Sequence, residues 1–148
     1  MFARSRSYIT PLLGFAWAMS AGYAFAQENA VVPWDTLKGV SVSIAPSGEK
    51  TLSFSSVIHS LDKKTVTVKG FRVPLEVRAH FLLAAKPTDC PFHIDEDGAE
   101  TYVDVYTKEP VAPTFGKPVT LTGTLHVLRD DSKGMYYRLV DAQLVPLD

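Results

Sequence analysis

The strongest constraint on the fold is an alternation of apolar and polar residues from Val119 to Val127. Successive side chains of a β-strand point to opposite faces, so this pattern predicts a strand with one apolar face in a core and His126 on the opposite, polar face. The polar run from Asp130 to Gly134 predicts a turn. Residues 135–140 are expected to return as the hairpin partner, and residues 142–147 to continue that strand past a bulge.

Shorter alternating runs predict further strands at residues 50–59, 65–71 and 101–107. The polar connection at residues 62–64 predicts a hairpin between the first two of these strands. Gly70, inside the second strand, predicts a bulge or a sharp bend, which small barrels need where a strand turns a corner.

Residues 79–85 are apolar at nearly every position, which favours a central strand buried on both faces, with a helix as the alternative. Near the start, residues 31–37 are expected to form one short turn anchored by Trp34. Five or six strands with short turns predict an all-β fold, an oligonucleotide/oligosaccharide-binding (OB)-like barrel. A seven-stranded sandwich is the alternative, but it requires one strand more than the pattern supplies.

The first 26 residues have the pattern of a cleaved export signal. Arg4 and Arg6 precede an apolar stretch, and Ala24-Phe25-Ala26 is the small-x-small pattern that signal peptidase cleaves, so cleavage is expected after Ala26. A membrane anchor is disfavoured because the apolar run is shorter than the roughly 20 residues that a bilayer span needs. The expected product is periplasmic, with no membrane span after cleavage.

The remaining residues, 27–148, are enough for a single domain with one core. The whole chain has a formal net charge of -1, and the predicted leader carries two arginines and no acid, so the mature part is at -3. This negative balance argues against a general nucleic-acid partner.

Cys90 is the only cysteine of the chain, and His93 follows it three residues later. An internal disulfide is therefore excluded, and three interpretations stay open: a buried inert thiol, a redox or intermolecular thiol, and a metal ligand. The spacing suits a shared ion, because two side chains of one tight turn can point at the same metal. This predicts a metal site seeded by Cys90 and His93.

Zinc requires three or four protein ligands, so further donors are needed. The candidates are His80, which opens the strand before the loop, His126, and Asp95; Glu96, Asp97 and His59 are also possible. For each histidine alone a surface role is the simpler interpretation, and the acids at residues 95–97 also suit a solvated turn. Zinc is the expected ion, with copper as the alternative because a soft thiolate and Met135 also suit copper(I).

The order of three motifs resembles an exported bacterial family catalogued as domain of unknown function 3299. The motifs are Gly70-Phe71-Arg72-Val73-Pro74-Leu75-Glu76, then His80-Phe81-Leu82-Leu83, then Cys90-Pro91-Phe92-His93, followed by Val119-Thr120-Leu121-Thr122-Gly123. The resemblance implies a small secreted β-barrel associated with metal handling. Relatives often have a second cysteine where this chain has His93, and that departure excludes a Cys-x-x-Cys redox pair.

A second hypothesis is a module that binds a peptide, a glycan or an envelope protein through an aromatic face. Aromatic residues and arginine dominate binding surfaces, although several of these rings are equally expected in the core. The residues concerned are Tyr102, Tyr106, Phe115, Tyr136, Tyr137, Arg72 and Arg138. An enzyme is the weakest interpretation, because His93 is too close to Cys90 in sequence to be a typical base for a cysteine nucleophile.

Overall fold

The computed structural model of this protein describes residues 30–75, 78–88, 98–114 and 116–146. The predicted leader, the predicted ligands Cys90, His93 and Asp95, and Phe115 lie outside these ranges. The elements in chain order are α1 (Trp34–Leu37), β1 (Val40–Ile44), β2 (Lys50–Phe54), α2 (Ser56–Leu61), β3 (Thr65–Pro74), β4 (His80–Ala84), a 3-10 turn (Ala99–Thr101), β5 (Tyr102–Thr107), β6 (Pro118–Val127) and β7 (Tyr137–Leu144).

Five strands close into a barrel in the order β3-β4-β5-β7-β6, and β6 pairs back onto β3. All neighbours are antiparallel except β5 and β7, which are parallel. Counted from the first barrel strand, the order is 1-2-3-5-4, the Greek-key order of OB-type barrels. The predicted all-β, OB-like barrel is confirmed.

The barrel interior is filled by alternate residues of its strands, as the period-two pattern requires. On β6, Val119, Leu121 and Leu125 are buried while the intervening threonines are partly exposed. Val103 and Val105 of β5 supply the same core. The face assignment made from the alternation on β6 is therefore confirmed.

Gly70 lies where β3 comes closest to β4. A Cβ atom at this position would lie 2.6 Å from the carbonyl oxygen of Ala84 and 2.9 Å from Cγ of Leu83, so a side chain has no room. One residue later, Phe71 pairs with both Ala84 on β4 and Pro118 on β6. The register stays continuous through Gly70, so the bulge expected there is wrong. Close approach of two backbones explains the glycine instead.

The bulge expected in the last strand is confirmed. The β6–β7 register shifts between Thr122 and Thr124, and Asp141 adopts a positive φ of 53°. Short polar side chains such as aspartate tolerate this left-handed conformation better than most residues do. The strand thereby continues to Leu144 with Ala142 in the core.

The strand predicted over residues 50–59 is wrong in its second half. β2 ends at Phe54, and the Ser55 hydroxyl accepts a hydrogen bond from the Ile58 amide (3.4 Å), which caps α2 at its start. Phe54 and Ile58 are both buried, and a spacing of four residues fits a helical face as well as a strand face. The hairpin predicted across residues 62–64 is also wrong, because α2 separates β2 from β3 and β2 pairs with β1 in a separate sheet.

The segment before β3 packs onto the barrel through buried apolar side chains. α1 forms where a single turn was expected, and Trp34 donates its indole N–H to the carbonyl of Lys69 (2.8 Å). Leu37 is fully buried, and the Tyr137 hydroxyl donates to its carbonyl oxygen at 2.5 Å. One aromatic side chain of β7 thus connects the barrel wall to α1.

The face assignment on β6 predicts opposite outcomes for two substitutions. Leu121→Asp places an unpaired carboxylate in the core and is expected to cost about 3 kcal/mol or more, a large share of a small domain's stability. Thr124→Asp lies on the opposite face and is expected to be tolerated. Thr124 is a better control than Thr122, whose hydroxyl lies 2.7 Å from that of Thr67. Thermal melts followed by circular dichroism measure both, and equal shifts would contradict the face assignment.

Tyr137 predicts an alkaline limit to stability. Burial, with smaller contributions from Glu100 and Tyr136, raises the pKa of Tyr137 above its usual value. Between the unfolded pKa of about 10 and the higher folded value, only the unfolded chain has lost this proton, so the free energy of unfolding falls as pH rises above about 10. Tyr137→Phe is expected to lower stability by about 1 kcal/mol at neutral pH and to flatten this alkaline loss. Urea unfolding from pH 7 to pH 11 measures both, and identical pH slopes would refute the prediction.

Candidate functional site

A carboxylate is buried on the outer face of the barrel wall. Asp104 stands between Val103 and Val105 on β5, and since both valines face the core, its side chain lies on the opposite face. It is nevertheless only 2% exposed. A buried carboxylate is costly unless charged or hydrogen-bonding partners surround it.

The partners of Asp104 come from the two neighbouring strands. His80 at the start of β4 places Nε2 2.6 Å from Oδ1, and Arg138 of β7 donates from Nε to Oδ2 at 2.9 Å. Arg138 is the residue directly opposite Asp104 in the parallel β5–β7 register. The hydrogen bond to Asp104 raises the pKa of Arg138, against the opposing effect of burial. Both carboxylate oxygens are thus satisfied.

Tyr106 completes the arrangement at the surface. Its ring stacks on the His80 ring with centroids 4.2 Å apart and planes 11° from parallel, and the Arg138 guanidinium lies 5.6 Å from its centroid. The side chains of His80 and Arg138 remain 21% and 28% exposed. We refer to His80, Asp104, Tyr106 and Arg138 as the Asp104 cluster. It presents an imidazole, a phenol and a guanidinium to solvent around one buried acid.

The loop between β6 and β7 is bound to this cluster. Arg138 donates from Nη2 to Oδ1 of Asp131 at 3.3 Å, and Oδ2 of Asp131 accepts from the amides of Lys133 and Met135 at 3.0 and 3.2 Å. An aspartate that accepts hydrogen bonds from the backbone amides of its own loop holds that loop in one turn. The loop is therefore positioned beside the outer face of β5 and β7.

The structure separates the predicted metal ligands into two groups. His80 belongs to the Asp104 cluster, and His126 of β6 is the residue opposite Arg138 in the register, so both histidines lie on outward positions of the wall. Cys90, His93 and Asp95 lie outside the described residues. Within residues 30–75, 78–88, 98–114 and 116–146, no three His, Cys, Asp or Glu side chains form a group that could hold a metal ion.

The predicted aromatic face is mostly core. Tyr136 and Tyr137 are at most 5% exposed and belong to the main core. Tyr102, on the outward face of β5, is 1% exposed in a second apolar cluster with Leu82 and Met135. Among the described residues of that set, Tyr106 and Arg138 belong to the Asp104 cluster. Sequence reasoning missed Asp104 and Asp131. The available signal for Asp104 was an acid flanked by two valines in a strand, because such a residue needs a partner on a neighbouring strand.

The His80–Asp104 pair resembles the base and its orienting acid in hydrolases, which also require a nucleophile beside the base. Of the residues the structure describes, none places a hydroxyl or thiol in hydrogen-bond contact with His80. Within the described ranges, the pair is therefore an imidazole oriented by a carboxylate. Across the same part of the chain, no helix combines the length and apolar character required to cross a bilayer.

Comparison with known proteins gives one structural match. No protein-family model matches the chain, and no curated protein matches it. Among solved structures, the chain is similar to the crystal structure of a DUF3299 family protein from Pseudomonas aeruginosa PAO1, with 19% sequence identity and a TM-score of 0.44. The match covers 66% of this chain and 69% of that one. The family named there is the one that the motif order of this chain resembles, and its description names no activity.

Proposed function

We propose that this protein is an exported, non-catalytic binding module whose ligand lies against the exposed groups of the Asp104 cluster, on the outward side of β4, β5 and β7. The Asp104 cluster carries the proposal, because one buried carboxylate fixes both an imidazole and a guanidinium beside a stacked tyrosine ring. Polar groups held in place before binding lose little conformational freedom when a ligand arrives. Export to the periplasm is supported by the leader pattern of residues 1–26.

The position of the cluster in the barrel supports the same function. OB-type barrels bind their ligands on the face of the second and third strands, between the loops that follow the first and fourth strands. Here those strands are β4 and β5, which supply His80, Asp104 and Tyr106, while Asp131 belongs to the loop after the fourth strand. A ligand site inferred from its position in the fold alone rests on analogy. The side chains of the Asp104 cluster add the polar groups that could bind a ligand there.

The charge of the cluster favours a neutral ligand. Asp104 of the cluster and Asp131 of the adjoining loop contribute two carboxylates against the single guanidinium of Arg138, so these three side chains together carry a negative balance. A phosphate-bearing polymer would be repelled by that balance and by the net charge of the chain. A neutral glycan fits best, because its hydroxyl groups can accept from the guanidinium and can both donate to and accept from the imidazole and phenol groups. A peptide or an envelope protein is the competing occupant.

Titration of isotopically labelled protein with neutral oligosaccharides tests this function by NMR. We expect amide shifts to concentrate at His80, Tyr106 and Arg138. Tyr106→Ala should weaken binding about tenfold, since it removes the ring that stacks on His80. Thr124→Ala, on the outer face of β6, serves as the matched control and should leave affinity unchanged.

Two results would count against a glycan site on this face. Shifts that map to another surface would reject the face itself. Binding of a peptide but of no oligosaccharide, with the same loss in Tyr106→Ala, would keep the face and replace the ligand class.

A metal site is the second candidate, and the orientation of His80 favours it. A metal-binding imidazole usually donates the N–H of its other ring nitrogen to a carboxylate. A proton on Nε2 of His80 would be donated to Asp104 in this way. That arrangement leaves Nδ1 for an ion. The remaining ligands of a zinc or copper ion would be Cys90, His93 and Asp95. His80 is at the start of β4 and the Cys90 loop follows its end, so these ligands would have to reach back along the outer face.

Calorimetric titration of zinc into metal-stripped protein tests the second candidate. Cys90→Ser should weaken binding by orders of magnitude. Asp104→Asn, which loosens His80 and also removes the ion pair with Arg138, should weaken it by about 10- to 100-fold. His59→Gln is the matched histidine control, since His59 is an exposed residue that contacts Arg129. Equal weak binding by the unmodified protein and Cys90→Ser would eliminate the metal site.

A further inference from the structure

A cavity of about 320 Å³ opens beside the end of β3. The residues that line it do not belong to the Asp104 cluster. Its walls come from the end of β3, from Pro87 and Thr88 after β4, and from Pro113, Thr114 and Gly116 in the connection between β5 and β6. Phe71 and three proline rings supply apolar surface: Pro74, Pro87 and Pro113. Proline rings are stiff, so this surface is largely formed before any ligand enters.

Arg72 is the charged residue that the structure places in this wall. Its guanidinium lies 5.0 Å from the centroid of the Phe81 ring, which is fully buried. The Nε atom is buried and finds no hydrogen-bond acceptor among the described residues. Native proteins satisfy nearly all such buried donors, so an orphaned one requires an explanation.

The charge of Arg72 is also uncompensated within the described ranges. None of the ion pairs formed there involves its guanidinium. Burial lowers the pKa of Arg72, and repulsion from Arg78 lowers it further. An anion placed against the exposed part of the guanidinium would neutralise its charge and offset the repulsion between the two arginines.

We infer that this cavity binds a small organic acid, with its carboxylate on Arg72 and its apolar body against Phe71 and the prolines. The planar fork of a guanidinium matches the two oxygens of a carboxylate. The volume lies at the lower end of the roughly 300–1,000 Å³ range of small-molecule sites, which suits a short acyl or aromatic acid. The site is separate from the Asp104 cluster, so either one can exist without the other.

Titration with hexanoate tests the site, with hexanol as the neutral analogue of the same length. We expect hexanoate to bind at least ten times more tightly than hexanol, and Arg72→Gln to remove that preference. Arg129→Gln is the matched control, because Arg129 belongs to the β6–β7 loop and does not line this cavity. It should leave hexanoate affinity unchanged.

Thr114→Phe keeps the test independent of the folding of Arg72→Gln. Thr114 lines the cavity from an irregular connection, so a phenylalanine ring there should fill the space. It should weaken hexanoate binding at least tenfold without lowering the melting temperature.

Equal binding of hexanoate and hexanol would overturn the inference, and so would full hexanoate affinity in both Arg72→Gln and Thr114→Phe. So would tighter binding of an N-acetylated dipeptide acid than of hexanoate, which would assign Arg72 to a peptide C-terminus. Tyr106→Ala should have no effect on hexanoate, whatever its effect on the ligand of the Asp104 cluster.

Discussion

Pairing of β3 with β6 is the constraint on which the rest of the structure depends. It runs from Thr65 opposite Thr124 to Phe71 opposite Pro118, and it closes five strands into a barrel. Closure leaves the barrel without a free edge and divides every strand into an inward and an outward set of side chains. Once Val103 and Val105 of β5 face inward, Asp104 has to face outward. The position of the candidate site is thus a consequence of closure. Within the closed wall, β3 and β4 approach so closely that a side chain at position 70 has no room.

Two ionic groups of the barrel differ in whether their buried atoms have hydrogen-bond partners. Asp104 is satisfied on both oxygens, by His80 from one side and Arg138 from the other, so the carboxylate acts as the fixed centre of a polar array. Arg72 stacks on Phe81 but leaves Nε without an acceptor among the described residues. A satisfied buried network rigidifies its surroundings, whereas an unsatisfied donor favours any ligand that can complete it. This difference is why the Asp104 cluster suits a broad neutral ligand and the Arg72 cavity suits an anion.

The elements outside the barrel are attached to it through aromatic contacts. Phe54 and Ile58 are buried on either side of the β2–α2 junction, and Phe54 makes edge contacts with Tyr136 and Tyr137 at 6.2 and 6.1 Å. Tyr137 in turn donates to the carbonyl of Leu37 in α1. Aromatic edge-to-face contacts combine burial with a defined orientation. Tyr136 and Tyr137, two of the tyrosines expected to form a binding face, therefore attach this segment instead, and Tyr106 belongs to the cluster.

The amino-acid sequence is enough to predict the fold class, the strands β3 to β7 and the inward face of β6, because period-two alternation is a local property of the chain. It also determined the bulge before Ala142 and the turn at Trp34. It did not determine where β2 ends, since Phe54 and Ile58 fit a strand and a helix equally until Ser55 caps α2. Only the tertiary structure brought Asp104 to His80 and Arg138, which are 24 and 34 residues away in the chain. The physical reason is that alternation assigns each side chain to a face, whereas its neighbours on that face are set by strand order and register, which depend on closure of the whole barrel.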